Sequence, residues 1–468
     1  MVGAADEVTR KKVYARIDAQ FERFLDELKD YCRVPTVSAE RKAEDEGAEA
    51  ARKFLDSRGV RTRRMRVEGG PDIVIGDAIQ DPSLPTIALY NHYDVQPVDP
   101  LSEWKTDPFD PVVKDGSLYA RGSADTKGNA VAQAVAMEAI REVCGSLPVN
   151  LRYMIEGEEE VGSPHLPAFA DANPALFKAD GATIEAGGHT PKGEPELYMG
   201  SKGILYVELQ ARTAEVDQHS SLATSLPNPA WRLIEALNAI RDIRTGRILV
   251  PGFYDGIAKP TPEMLGYLKR NRFDPASYKE VYGVKEVYGG KTRLDRLKQY
   301  CYSPTCNIDG FLSGFVGEGS KTINPAFAKV KVDFRLLPGQ RPWKIFAALK
   351  KHLRARGFSD LDVRQHSVFE PGSTPVASRI GRATIAAVKD VYGREPEVFP
   401  WMGGSSSTFF YTSRGTPSVL PPGVGYSGSR IHAPNEHIRL DDARRAIKSF
   451  AGMMMMFPQT PASAKDRG

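Results

Sequence analysis

Apolar residues recur three and four apart at Ile17, Phe21, Phe24, Leu28 and Tyr31, so residues 8–31 are predicted to form one amphipathic helix. Ala48, Ala51, Phe54 and Leu55 predict a second helix that ends near Gly59. Short apolar runs then alternate with helical spacing, predicting strands at 72–75, 86–90, 118–121, 149–155 and 182–185 and a helix over 128–143. This alternation predicts an α/β fold, a mixed sheet covered by helices on both faces.

Near Gly200 the pattern changes. Strands are predicted at 204–210, 310–316, 328–336 and 361–363, with helices at 229–240 and 343–353. Strand-helix-strand-strand-helix-strand is a compact two-layer α+β unit. The chain therefore divides into a first part of one domain at 1–200, an inserted domain at 201–372, and the remainder of the first domain at 373–468, which resumes with a helix over 380–391. Residues 245–302 mix Pro, Gly and Tyr with scattered helical spacing and predict an elaborated loop with short helices. The run Met453, Met454, Met455, Met456 falls in the last helix or at its end, and the small polar residues from Pro458 onward are expected to fray.

Composition narrows the classes. The 468 residues are 41% apolar and 26% charged, and 63 basic against 59 acidic residues leave a formal charge of +4. The two signs are interspersed, which excludes a nucleic-acid binder as the first reading. Four cysteines, Cys32, Cys144, Cys301 and Cys306, are too few and too irregular for a disulfide framework or a Cys-rich zinc site. They predict a reducing, cytoplasmic setting. No segment is long and apolar enough to span a bilayer, and the charged stretch from Asp6 to Lys12 has no apolar core of the signal-peptide kind.

Chemistry-bearing residues gather where predicted strands stop. His92 and Asp94 end the run 86–90, the position at which open α/β sheets place ligands. A neutral imidazole is a good transition-metal ligand, and a carboxylate two residues on can fix its ring. Asp125 stands where a strand passes through a glycine turn into a helix; read alone, it is a helix N-cap. Glu158, Glu159 and Glu160 follow directly on an apolar strand, and three adjacent carboxylates repel one another unless cations neutralise them. Glu185 closes the strand at 182–185, and His432 lies in a late loop, Ser429-Arg-Ile-His-Ala-Pro-Asn-Glu436-His437. Oxygen and nitrogen donors of this kind suit a pair of divalent metals.

In this order, His-x-Asp, Gly-x-x-Asp, Glu-Glu-x-Gly-Ser, a further acid and a late His resemble the dinuclear zinc peptidases that include aminoacylase, carboxypeptidase G and the carnosinase-type cytosolic dipeptidases. The resemblance covers nearly the whole chain. It implies a catalytic domain with an inserted lid and dimerisation domain, and two divalent ions per subunit, zinc first and manganese or cobalt as alternatives. It assigns Asp125 as the bridge between the ions, His92 and Glu185 to one ion, and Glu160 and His432 to the other. Asp94 would lie behind His92, and Glu159 would be the general base that takes a proton from water and returns it to the leaving nitrogen. Glu158 would be no ligand. A cis peptide is implied between Asp125 and Thr126. His219 matches the lid histidine that, in dimeric relatives, reaches into the partner's site. Arg335 matches the arginine that holds a substrate's terminal carboxylate, and Thr322, Gly404 and Ser405 fall at further substrate contacts.

Two departures bear on the substrate. His219-Ser220-Ser221 replaces the usual His-Ser-Gly, and Trp401-Met402 replaces an Arg-Glu pair before Gly403-Gly404-Ser405. Trp401 with Met402 at the mouth of the site would suit an apolar or aromatic substrate group. Glu185, in place of the Asp common in aminopeptidase-like relatives, leans toward an amide whose leaving amine carries a carboxylate. The expectation is a metal-dependent dipeptidase or carboxypeptidase acting on a small peptide or amide as a homodimer, with no nucleic-acid or membrane partner. An aminoacylase-like or specialised aryl-amide hydrolase is the nearest alternative. A metal-binding protein without turnover is the remaining one, and retention of Glu159, which is not a ligand, argues against it.

Overall fold

The computed structural model describes residues 4–463. Its larger sheet has six strands in the order Arg61–Met65, Ile73–Ala78, Asn150–Glu156, Thr86–His92, Gly181–Ile184 and Ser418–Val419. The first two pairings are antiparallel and the other three parallel, so the sheet is mixed. Neighbouring side chains on Asn150–Glu156 reach opposite layers, as the strand period of two requires. Tyr153 meets Met137 of the helix Lys127–Cys144, whereas Met154 meets Tyr411 of the helix Thr408–Thr412. Helices therefore cover both faces, as the alternating pattern predicted.

The second sheet is antiparallel throughout, in the order Asn307–Ser313, Phe327–Leu336, Gly203–Arg212 and Asp362–Phe369. Leu205, Val207 and Leu209 alternate inward with Val330, Val332 and Phe334 opposite, and they pack under the helices Pro229–Ile240 and Pro342–Ala355 in a separate core. This is the inserted two-layer unit.

Three local expectations are corrected. The first helix is two, Ala4–Ala19 and Phe21–Cys32, broken at Gln20, whose side chain turns to donate to Glu142 at 2.7 Å. The strand expected at 310–316 is Asn307–Ser313, ending where Gly314 takes a φ of +67°. The chain beyond Pro458 is held rather than frayed as far as Pro461, because Arg379 donates to the Pro458 carbonyl at 2.9 Å and Arg382 to that of Pro461. The rest of the tail expectation, 464–468, lies outside the described residues.

The stretch that resisted reading contains the helices Pro262–Arg270, Tyr278–Tyr282 and Arg293–Tyr302. Its buried residues Met264, Leu268, Phe273, Leu297 and Cys301 join the core of the six-stranded sheet, although Gly203–Arg212 before it and Asn307–Ser313 after it belong to the other sheet. Buried Lys202 ties this excursion to the crossing point, donating to the carbonyls of Tyr300 and Ser303 at 2.9 Å each.

Candidate active site and metal centre

Parallel strands deliver their C-terminal ends to one edge of the large sheet. His92 is the last residue of Thr86–His92, opposite Glu156, and Glu185 follows Gly181–Ile184, its N–H donating to the Tyr90 carbonyl at 2.7 Å. Glu159 and Glu160 open the short turn after Asn150–Glu156. The Asp125 carboxylate lies between two imidazoles, one oxygen 3.1 Å from His92 Nε2 and the other 3.2 Å from His432 Nε2. Glu160 Oε2 is 3.1 Å from the same His432 nitrogen. Donor atoms of His92, Asp125 and Glu160 lie within 4.8 Å of one another, as do those of His92, Glu159 and Glu185. The Asp125–Thr126 peptide is cis.

Asp94 is buried behind this group. One of its oxygens stands 3.3 Å from His92 Nδ1, and its two oxygens accept the backbone N–H of Glu159 and Glu160 at 3.2 and 3.0 Å. It thus fixes both the ring and the turn carrying the two acids. Gln96 donates to Glu160 Oε2 at 3.0 Å. Glu158 turns away and pairs with His165 at 2.9 Å.

The electrostatics of the cluster call for positive charge. Burial, followed by the Glu185 charge, pushes Glu159 well above the carboxylate range, and burial pushes Glu185 up to about 8. Burial opposes ionisation of Asp125 as well, but hydrogen bonds from His432 and His92 hold its pKa down. Burial would lower His92, yet its hydrogen bonds to Asp125 and Asp94 raise it well above its ordinary value. Glu185 Oε1 is buried with no hydrogen-bond donor among the described residues. An orphaned carboxylate oxygen beside imidazole and carboxylate donors fits a divalent cation.

The cluster opens into a cavity of about 390 Å³ lined by Asp125, Glu159, Glu185 and His432, with Arg335, Gly404 and Ser405 also on its wall. Arg335 Nη1 donates to Ser405 Oγ at 3.0 Å. His219 and Thr322 are not on that wall. They sit together on the inserted unit, where Gln218–His219 pairs with Ile323–Asn324 and the Ser220 N–H meets the Thr322 carbonyl at 3.3 Å. Trp401 is also displaced from its expected place at the mouth. Its indole is buried, donates to the Cys301 carbonyl and packs edge-on to Tyr302 at 4.9 Å. Successive residues of an extended chain face opposite sides, so Met402 takes the cavity wall instead.

Sequence reasoning missed several contributors. Phe273 and Tyr278, from the unreadable excursion, line the cavity with Glu196 and Tyr198. Glu436, fully buried, accepts the N–H groups of Gly122, Ala124 and Asp125 at 2.9, 2.9 and 3.0 Å and the Arg121 guanidinium at 2.8 Å. The available signal was a carboxylate four residues after His432 with no charged residue between them, and it does not name a partner more than three hundred residues away.

The profile described as peptidase family M20/M25/M40 matches residues 88–456. The chain is 29% identical over 468 residues to the Cys-Gly metallodipeptidase dug1 of Schizosaccharomyces pombe, covering 94% of this chain and 96% of that one. Among solved structures it is similar to the M20 family metallo-carboxypeptidase Sso-CP2 from Sulfolobus solfataricus, with a TM-score of 0.88 at 36% identity over 93% of this chain and 99% of that one. It is similar also to human carnosine dipeptidase 1, with a TM-score of 0.82 at 25% identity over 96% and 99% of the two chains.

Proposed function

Because the chain belongs to peptidase family M20/M25/M40, and so hydrolyses peptide bonds with the help of a divalent metal, we propose that it is a dinuclear zinc dipeptidase or carboxypeptidase acting on small peptides. The observation that carries this reading is Asp125, whose two carboxylate oxygens each face a different imidazole. Asp125 would be shared between two ions, with His92 and Glu185 placed to hold one and Glu160 and His432 the other. The bound ions supply polarisation of the scissile carbonyl and acidification of a water.

The chain's own residues do the rest. Glu159 accepts the proton of the attacking water on a carboxylate oxygen and delivers it to the leaving nitrogen. Arg335, braced by Ser405 with Gly404 beside it, holds the substrate's terminal carboxylate. His219 and Thr322 sit together outside their own cavity, which supports a homodimer in which the partner subunit's His219 reaches in to stabilise the negative tetrahedral intermediate. The inserted unit, taken as 201–372 between 1–200 and 373–468, would carry that contact. Exposed Ile308, Phe311 and Leu312 on its edge strand Asn307–Ser313 support pairing there. Four unpaired cysteines support a cytoplasmic setting. Among the described residues, no helix is long and apolar enough to cross a membrane.

An aryl-amide or N-acyl hydrolase is the second reading, favoured by Phe273, Tyr278 and Met402 on the wall. The deciding experiment strips the protein, reloads it with zinc, manganese or cobalt, and screens dipeptides, N-acyl amino acids and aryl amides. Zinc-restored cleavage of free dipeptides supports the first reading. Cleavage of only acylated or aryl amides replaces it with the second. Full activity of a strict monomer in sedimentation removes the cross-subunit role of His219.

A further inference from the structure

The cavity contains a carboxylate that the hydrolytic chemistry leaves unused. Glu196 opens the strand Glu196–Tyr198, which runs parallel to Glu397–Phe399, and the strand period puts Glu196 and Tyr198 on the same side, where both line the cavity. Glu196 is only 8% exposed and makes no ion pair among the described residues. Burial pushes its pKa up to about 8 against a hydrogen bond from Tyr198, and the other charges acting on it, Glu397 and Glu194, are also acidic. A carboxylate buried without a cation is costly unless a ligand brings one.

Aromatic rings share the cavity wall with this acid. Tyr198 stacks on Phe399 with centroids 5.1 Å apart, Phe273 meets Phe399 edge-on at 5.9 Å, and Tyr278 lies 5.5 Å from Phe273. Ring faces attract cations through their quadrupole, and an acid among them adds a direct ionic partner. Phe273 and Tyr278 reach the cavity only because the excursion folds back onto the larger core.

We propose that Glu196, with Tyr198, Phe273 and Tyr278, forms a subsite for an ammonium group of the substrate. This deepens the peptide-hydrolase reading and rests on it: the preferred substrates carry a protonated amine in addition to the carboxylate held by Arg335. That amine is either a peptide's N-terminus or a lysine-type side chain.

The test uses zinc-loaded full-length protein, as wild type, Glu196→Gln and Tyr278→Leu, with alanyl-alanine, N-acetyl-alanyl-alanine and N-acetyl-lysyl-alanine as substrates. At least one amine-bearing peptide is expected to exceed N-acetyl-alanyl-alanine by about tenfold or more in kcat/KM, a margin that Glu196→Gln removes through KM and Tyr278→Leu reduces. N-acetyl-alanyl-alanine should lose less in Glu196→Gln than the amine-bearing peptide does. An advantage of alanyl-alanine assigns the subsite to the N-terminus, and one of N-acetyl-lysyl-alanine to the side chain. Equal rates on all three peptides, or a margin that survives in Glu196→Gln, overturn the proposal and leave the hydrolase reading standing. If no peptide is cleaved, the hydrolase reading falls, and calorimetry with n-butylammonium decides the subsite separately. Binding weakened about tenfold or more in Glu196→Gln supports it, and no binding or equal binding overturns it.

Discussion

Glu436 holds Asp125 from behind: one Glu436 oxygen accepts the backbone N–H of Asp125 at 3.0 Å and of Ala124 at 2.9 Å, while the other accepts Gly122 N–H and the Arg121 guanidinium. The carboxylate therefore sets the turn from which Asp125 faces His92 and His432. Glu436→Gln keeps the shape but removes the charge opposite buried Arg121. The expected cost is about 3–5 kcal/mol of stability by urea unfolding, with metal affinity lowered roughly 10–100-fold in a chelator competition. Lost stability with unchanged metal affinity would reduce Glu436 to a packing role.

Glu159 sits within reach of the ligand group, and its assigned task is moving a proton. Glu159→Gln is expected to bind metal as wild type does and to lose about 10²–10⁴-fold in kcat, with KM little changed. Near-normal turnover in this variant would sink the mechanism.

Arg335 reaches Ser405 across the cavity wall and offers a planar fork to a carboxylate. Arg335→Lys is expected to weaken substrates with a free C-terminus by about 1.5–3 kcal/mol, read in KM. C-terminally amidated substrates should be unaffected. An equal loss on both kinds would mean that Arg335 does not meet the carboxylate.

Glu156, at the end of its strand, accepts Ser163 Oγ at 2.9 Å and the Tyr90 hydroxyl, and its second oxygen is buried without a partner among the described residues. Burial raises its pKa from 4.5 to about 8. The folded state thus keeps a proton that the unfolded state gives up, so this contribution is complete below about 4.5 and is lost as pH rises through about 8. Zinc-loaded wild type should lose stability with rising pH across that window. Glu156→Gln should flatten the dependence by about 1.4 kcal/mol per pH unit. Parallel stability curves for the two proteins would contradict the assignment.

The inner strands of both sheets were legible because their periods are clean, with alternation in Phe327–Leu336 and apolar runs in Asn150–Glu156 and Thr86–His92, whereas the edge strands Arg61–Met65, polar and half-exposed, and Ser418–Val419, two residues long, were not. Strand ends then located His92, Glu159, Glu160 and Glu185 without knowledge of the tertiary structure, since parallel strands in one sheet bring those ends together. Three things stayed hidden for physical reasons. Glu436 acts through backbone N–H groups, which have no sequence identity. Trp401 and Met402 are adjacent, and only the local strand direction decides which faces the cavity. The excursion carrying Phe273 and Tyr278 splits its apolar residues between a remote core and a cavity wall, so neither the period of 2 nor that of 3.6 survives in it.

That excursion also settles which parts of the binding surface are mechanically joined. Phe273 is rooted in the core of the six-stranded sheet and Tyr278 packs against it, on the body whose strand ends carry Glu159, whereas Arg335 projects from the sheet of the inserted unit. Arg335 meets that wall at Ser405, to which its guanidinium donates at 3.0 Å. The two ends of the binding surface are thus anchored differently, one through a buried core and the other through the Arg335–Ser405 hydrogen bond.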